Sequence, residues 1–202
     1  MLQDPGGRQP APHPLRLVQA FVNTLDRENR VEELEGPADL RRALADLGLL
    51  AESAGPLTDD DLVLALGVRE ALRALTLANN GVPLPSGATA TLERASRAAQ
   101  LTLSFEDGRA RLVPKVGGVD GALGRLVAVV HEAMADGSWE RLKGCPRDIC
   151  HWVFYDRSRN RSSTWCAMSV CGCRTPTSRT TSTTGCGSGR RRPSGRCPGD
   201  IP

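Results

Sequence analysis

Residues 145–172 read CPRDICHWVFYDRSRNRSSTWCAMSVCG. The stretch holds two cysteine pairs of equal internal spacing, Cys145-x4-Cys150 and Cys166-x4-Cys171, with fifteen residues between them. Each pair supplies two ligands from one turn, and a hairpin-length insert brings the pairs together, which is what a tetrahedral thiolate site requires. All seven cysteines lie beyond position 144, and in a reducing cytosol such clustering favours a metal over disulfides. Structural Zn²⁺ is the expected ion, since four thiolates close its shell and leave no position for a substrate. An iron–sulfur cluster is the competing centre, but the symmetric spacing differs from the ferredoxin patterns. Two other readings remain: four cysteines serving only as small buried hydrophobes, and His151 replacing Cys150 as a ligand.

The insert carries Trp152, Phe154, Tyr155 and Trp165, four of the chain's seven aromatics, and Arg157, Arg159 and Arg161 at alternate positions. A strand or hairpin tip would point those three guanidinium groups one way, ready to pair with phosphates. The other reading is that they offset the double negative charge that four thiolates leave on Zn²⁺. Charge along the chain is uneven: residues 1–144 carry 16 basic and 20 acidic side chains, whereas residues 145–202 carry ten arginines against Asp148, Asp156 and Asp200. A basic segment following an acidic one expects an anionic partner, most often nucleic acid.

Upstream, 202 residues allow one or two domains, and no run approaches the roughly 18 apolar residues that span a bilayer. With four prolines and no apolar run, residues 1–14 lack the core of a signal peptide and read as a disordered leader, so the chain is expected in the cytoplasm. Apolar spacing predicts helices over Leu15–Asp26, from Pro37 to a Gly48 cap, over Asp59–Ala78 behind the Thr58 capping box, over Ala88–Ala99 and over Gly121–Ala135. Alternation on either side of Asp107-Gly108 predicts a β-hairpin that the last helix covers. The fold class is therefore mainly α with one β-hairpin (α+β), followed by a small four-cysteine zinc finger.

Asn23 and Thr24 interrupt an otherwise apolar helix, and Arg69 sits beside Glu70 in the longest one. Buried polar groups need partners, so Asn23 and Arg69 either line a small-molecule effector pocket or hydrogen-bond between helices. His131 reads as a helix-surface residue and His13 as part of the leader; neither stands beside a candidate nucleophile.

Residues 145–172 resemble the CGNR-type zinc finger. LRLVQAFVNTLD at 15–26 and REALRALTLANNG at 69–81 are similar to the ABATE domain that precedes this finger in stress-induced transcription regulators. The resemblance implies a bacterial regulator with a sensing or regulatory domain at 15–138 and a DNA-binding finger at 139–174, treble-clef-like where the second cysteine pair opens a helix. Partners would be DNA, a small-molecule effector and the transcription machinery, without a membrane and without enzymatic activity. Zinc ligands are assigned to Cys145, Cys150, Cys166 and Cys171, DNA contacts to Arg157, Arg159, Arg161 and Arg174, and effector contacts to Asn23 and Arg69. A protein-interaction module that docks through exposed finger aromatics is the alternative.

The chain departs from the finger's name-giving Cys-Gly-Asn-Arg: Cys171-Gly172 is followed by Cys173, Arg174, Thr175 and Pro176. From Gly172 to Pro202, 20 of 31 residues are Gly, Pro, Ser or Thr, so residues 175–202 read as a disordered tail in which Cys173, Cys186 and Cys197 are incidental thiols. Reading Pro176–Cys186 from the third base of each codon permits His-Lys-Ser-His-Asp-Phe-His-His-Arg-Leu, a basic helix of the family's kind. A frameshift that removes the DNA-contacting helix is the reading this gives.

Overall fold

A computed structural model of the chain describes residues 7–51, 53–106 and 108–173. The expectations for Arg174 and the tail lie outside the described residues. Among the described residues there are five α-helices: α1 (Leu15–Val22), α2 (Pro37–Asp46), α3 (Asp59–Ala78), α4 (Ser86–Ala98) and α5 (Gly118–Ala135). Three antiparallel two-stranded pairs accompany them: β1 (Leu25–Asp26) with β2 (Val31–Glu32), β3 (Thr102–Glu106) with β4 (Arg109–Val113), and β5 (Leu142–Gly144) with β6 (Val153–Tyr155).

Local chemistry explains the element ends. The Thr58 side chain accepts from the Asp61 amide while the Asp61 carboxylate takes the Thr58 amide, closing the capping box that starts α3. Three aspartates in its first turn suit the positive end of the helix. The expected hairpin forms as β3–β4, with Phe105 opposite Ala110 and Gly108 at φ +73° in the turn, where a Cβ would be strained.

The core forms where α1, α3 and α5 meet, through Val18, Phe21, Val68, Leu72, Leu123 and Leu126, with Leu40 and Leu44 of α2 closing one side. The same buried cluster includes Leu142, Val153 and Tyr155 of the β5–β6 hairpin. The finger also keeps a cluster of its own, Cys145, Cys150, Trp152, Phe154, Cys166, Ala167 and Cys171, so the helical core crosses the 138/139 boundary while a second, smaller core lies wholly beyond it.

Three expectations are corrected. The first helix ends at Val22 rather than Asp26, because Asn23 and Thr24 turn the chain into β1 instead of continuing an apolar stripe. Residues 7–14 are not a disordered leader: Ala11 is buried and its amide bonds Gln19 Oε1 at 2.7 Å, while Arg8 stacks its guanidinium over Phe154 at 4.8 Å. The β3–β4 hairpin is only partly covered, since α5 meets the β4 side and leaves Leu103 and Phe105 56% and 75% exposed.

The cysteine-bearing hairpin meets α3 closely enough to require glycine. A Cβ at Gly144 would stand 2.8 Å from Leu77 Cγ and Cδ2 and 3.1 Å from the Leu77 amide nitrogen. Gly144→Ala is expected to cost about 1–3 kcal/mol through overpacking, read as a lower urea midpoint with unchanged slope.

Candidate metal centre

The hairpin β5–β6 carries the first cysteine pair in its connection. The Cys145 amide bonds Trp152 O at 2.9 Å, prolonging the ladder by one rung, and the Cys150 and His151 amides both turn back to Arg147 O, at 2.8 and 3.3 Å. His151 sits at φ +52°, which re-aims the chain from the turn into β6. Of the second pair, Cys171 lies on a single wide helical turn, Met168–Gly172, where the Cys171 and Gly172 amides both bond Ala167 O, at 2.9 and 3.2 Å, and Cys166 stands two residues before that turn. That turn is as far as a treble-clef helix can be followed within the described residues.

The four sulfurs converge. Cys145, Cys150, Cys166 and Cys171 are buried and unpaired as disulfides, with all Sγ atoms within 4.8 Å of one another. Cys166 Sγ stands 3.6 Å from Cys150 Sγ and 3.5 Å from Cys171 Sγ. A disulfide needs about 2.05 Å, whereas a tetrahedron with Zn–S near 2.3 Å sets sulfurs about 3.8 Å apart.

Thiol chemistry agrees with that geometry. Hydrogen bonds from Cys150 and Cys166 pull the Cys145 thiol down to about 2. Hydrogen bonding to Cys145 pushes Cys150 and Cys166 up, and burial pushes Cys171 up. Four thiolates held this close repel one another, and a cation among them favours their ionised forms. The donor set fits structural zinc, a soft thiolate shell with no open position; the ion when bound ties the two turns together. His151 is not in the set of four, nor is Cys173.

The charge on this centre is met by an arginine that spacing did not single out. Arg147 Nη1 lies 3.9 Å from Cys171 Sγ and 2.7 Å from Glu28 Oε1, and its hydrogen bond to the sulfur raises its own pKa. It lies inside the first cysteine turn, where a ligand-pair signature gives its neighbours no separate weight. Arg157, Arg159 and Arg161 do not serve this role. They lie beyond Tyr155, the last residue of β6, on an irregular loop rather than at alternate positions of a strand. Arg157 bonds Pro10 O at 2.8 Å and stacks over Tyr155, Arg161 pairs with Glu140, and Arg159 makes no ion pair among the described residues.

That loop is held by a buried ion pair. Lys143 Nζ bonds Asp156 Oδ2 at 2.9 Å and reaches the carbonyls of Arg161 and Ser163, while the Ser158 and Ser163 amides bond the Asp156 carboxylate at 2.9 Å each. Burial alone would raise the Asp156 pKa; hydrogen bonds from Ser158 and Lys143 outweigh it and hold the carboxyl well below the ordinary range. A lysine in a three-residue strand gives no periodic signal, so sequence patterning missed it.

Asn23 and Arg69 are spent on structure. Asn23 clamps β6 at two points, Nδ2 to Val153 O at 2.8 Å and Val153 N to Oδ1 at 2.9 Å. Arg69 binds both Glu32 oxygens at 2.7 Å and Thr24 Oγ1 at 3.1 Å. Neither lines the open cleft of about 300 Å³ between α1 and α2, bounded by Thr24, Glu32, Glu35, Asp39 and Asp46. Both side chains hydrogen-bond between elements, and Arg69 reaches the cleft only through its partner Glu32. Trp152, Phe154 and Tyr155 are likewise buried rather than displayed; the exposed apolar side chains of the finger are Ile149 and Met168.

Fold and site together define a zinc-binding protein in which a helical domain and a four-thiolate finger share a seam. Residues 15–137 match the ABATE family, described as "Putative stress-induced transcription regulator", and residues 141–188 match the CGNR zinc finger. The chain belongs to the ABATE family. No curated protein matches it. Among the described residues no helix is long and apolar enough to cross a membrane.

Lys143→Met is expected to cost about 3–5 kcal/mol in chemical denaturation at neutral pH, because it leaves the Asp156 carboxylate charged and buried without its cation.

Proposed function

We propose that this protein is a zinc-dependent, DNA-binding transcriptional regulator of the bacterial cytoplasm that joins the nucleoid when bound. The observation that carries the reading is the loop 156–163: Asp156 and Lys143 pin it from inside while Arg157, Arg159 and Arg161 stand exposed on its outer side. A pinned loop presents guanidinium groups to phosphates at low ordering cost, and each such contact releases counterions. Arg174, the next basic residue after the second cysteine turn, would extend the same interface. Zinc organises the module and does no chemistry in this reading, since four thiolates leave no open coordination position for hydrolysis.

The helical domain is the regulatory half. Glu32 lines the cleft between α1 and α2 and also holds Arg69, so a small-molecule effector seated there would compete directly for the Arg69 ion pair. The alternative, a module that docks on the transcription machinery through exposed aromatics, has less support: Trp152, Phe154 and Tyr155 are buried and Trp165 is half-buried, which leaves Trp165 with the exposed Ile149 and Met168 among the described residues.

Fluorescence anisotropy on a mixed-sequence duplex across a salt series tests the reading. Affinity should fall linearly on a log–log plot, and Arg157→Ala with Arg159→Ala should weaken binding and flatten the slope by about 2. Binding that ignores salt, or that keeps its slope in the double variant, would overturn it. A version with the alternative reading frame restored after Arg174 should bind more tightly than the present chain.

A further inference from the structure

The zinc ligands are supported from outside the finger. Asn80, just past the end of α3, donates through Nδ2 to Gly144 O at 2.9 Å and to Thr164 O at 2.6 Å. Gly144 immediately precedes Cys145 and Thr164 stands two residues before Cys166, so the two hydrogens of one amide tie together the chain segments that deliver one ligand from each pair. Arg73, 1% exposed on α3, donates from Nη1 to His151 O at 3.0 Å, directly after Cys150, and from Nη2 to Val22 O at 2.7 Å at the end of α1. Arg8 completes the frame, with Nε to Cys166 O at 2.6 Å and Nη2 to Trp165 O at 2.9 Å. Three of the four ligand-bearing segments are thus fixed by side chains that do not belong to the finger. Asn79, one position earlier, is a natural comparison: its Nδ2 crosses the same seam to Trp139 O and Leu142 O, each at 2.9 Å, and neither carbonyl adjoins a cysteine.

We propose that Asn80 is a positioning residue of the zinc centre and that through it, seconded by Arg73, the helical domain sets the finger's affinity for zinc. The physical reason is the charge that zinc must gather. Four sulfurs that repel as thiolates are brought within 4.8 Å, and the segments carrying Cys145 and Cys166 are twenty-odd residues apart along the chain, so whatever holds Gly144 and Thr164 together lowers the ordering cost that metal binding otherwise bears. Groups that hold metal ligands from behind change metal affinity by about 10–100-fold when removed. Linkage makes the effect reciprocal: zinc bound to the finger steadies the C-terminal end of α3, and anything that displaces that end loosens zinc. The inference rests on the zinc site and not on the DNA-binding reading.

Competition of the zinc-loaded full-length protein against a chromophoric chelator at neutral pH tests it, without nucleic acid, so that its outcome is separate from that of the salt series. Asn80→Ala should weaken zinc about 10–100-fold. Asn80→Asp, which keeps the volume but turns the donor into an acceptor facing two carbonyls, should do the same and serves if the alanine variant fails to fold. Asn79→Ala should lower the melting temperature comparably yet hold zinc within about 3-fold of the unmodified chain, since it releases no segment next to a ligand. With Co²⁺ in place of zinc, the visible ligand-field bands should broaden in the Asn80 variants only. Zinc affinity unchanged by either Asn80 substitution, or reduced to the same extent by Asn79→Ala, would overturn the proposal.

Discussion

Four sulfur atoms brought within 4.8 Å of one another in a buried site make an arrangement that a divalent cation stabilises and that thiols alone do not. Everything at the C-terminal side of the described chain depends on that constraint. The two hairpin strands are three residues each, too short to persist unaided, and of the second cysteine pair Cys171 rides on a single helical turn. Closing the sulfur tetrahedron turns these fragments into a support for the loop 156–163, which Lys143 and Asp156 then fix from within.

The finger is not an appendage. Leu142, Val153 and Tyr155 belong to the same apolar cluster as Phe21, Leu72 and Leu126, and Gly144 is in close approach to Leu77. Polar clamps run alongside this contact, from Asn23 to β6 and from Asn79 and Asn80 to the carbonyls around β5. The helical domain is thereby joined to the metal centre, because its longest helix ends on the carbonyls next to the ligands.

What was legible in the sequence is what is local. The Thr58 capping box, the Asp107-Gly108 hairpin, the long α3 pattern and the two cysteine pairs each announce themselves within a few residues, and the structure places all of them as expected except at helix ends. The extent of α1 was misjudged because Asn23 and Thr24 look like defects in a helical stripe when they are its stop, made so by a strand 130 residues away. The same distance hid the supports of the metal centre: Asn80 meets partners 64 and 84 residues on, Arg73 one 78 on, and Arg8 one 158 on. Pattern within a window carries no trace of such pairs. A run of Trp, Phe and Tyr reads as a display, whereas Trp152 and Phe154 pack among the four cysteines and Tyr155 joins the core of the helices.

The account stands or falls on whether one metal ion holds both halves in a single cooperative unit. Far-ultraviolet circular dichroism reports mainly on the helices, so thermal unfolding should be followed by that signal on purified protein of known metal content, before and after thorough chelation. One zinc per chain, with a single transition that shifts to clearly lower temperature when zinc is stripped, is the predicted result. Protein without stoichiometric metal, or helices that melt at the same temperature with and without it, would contradict it.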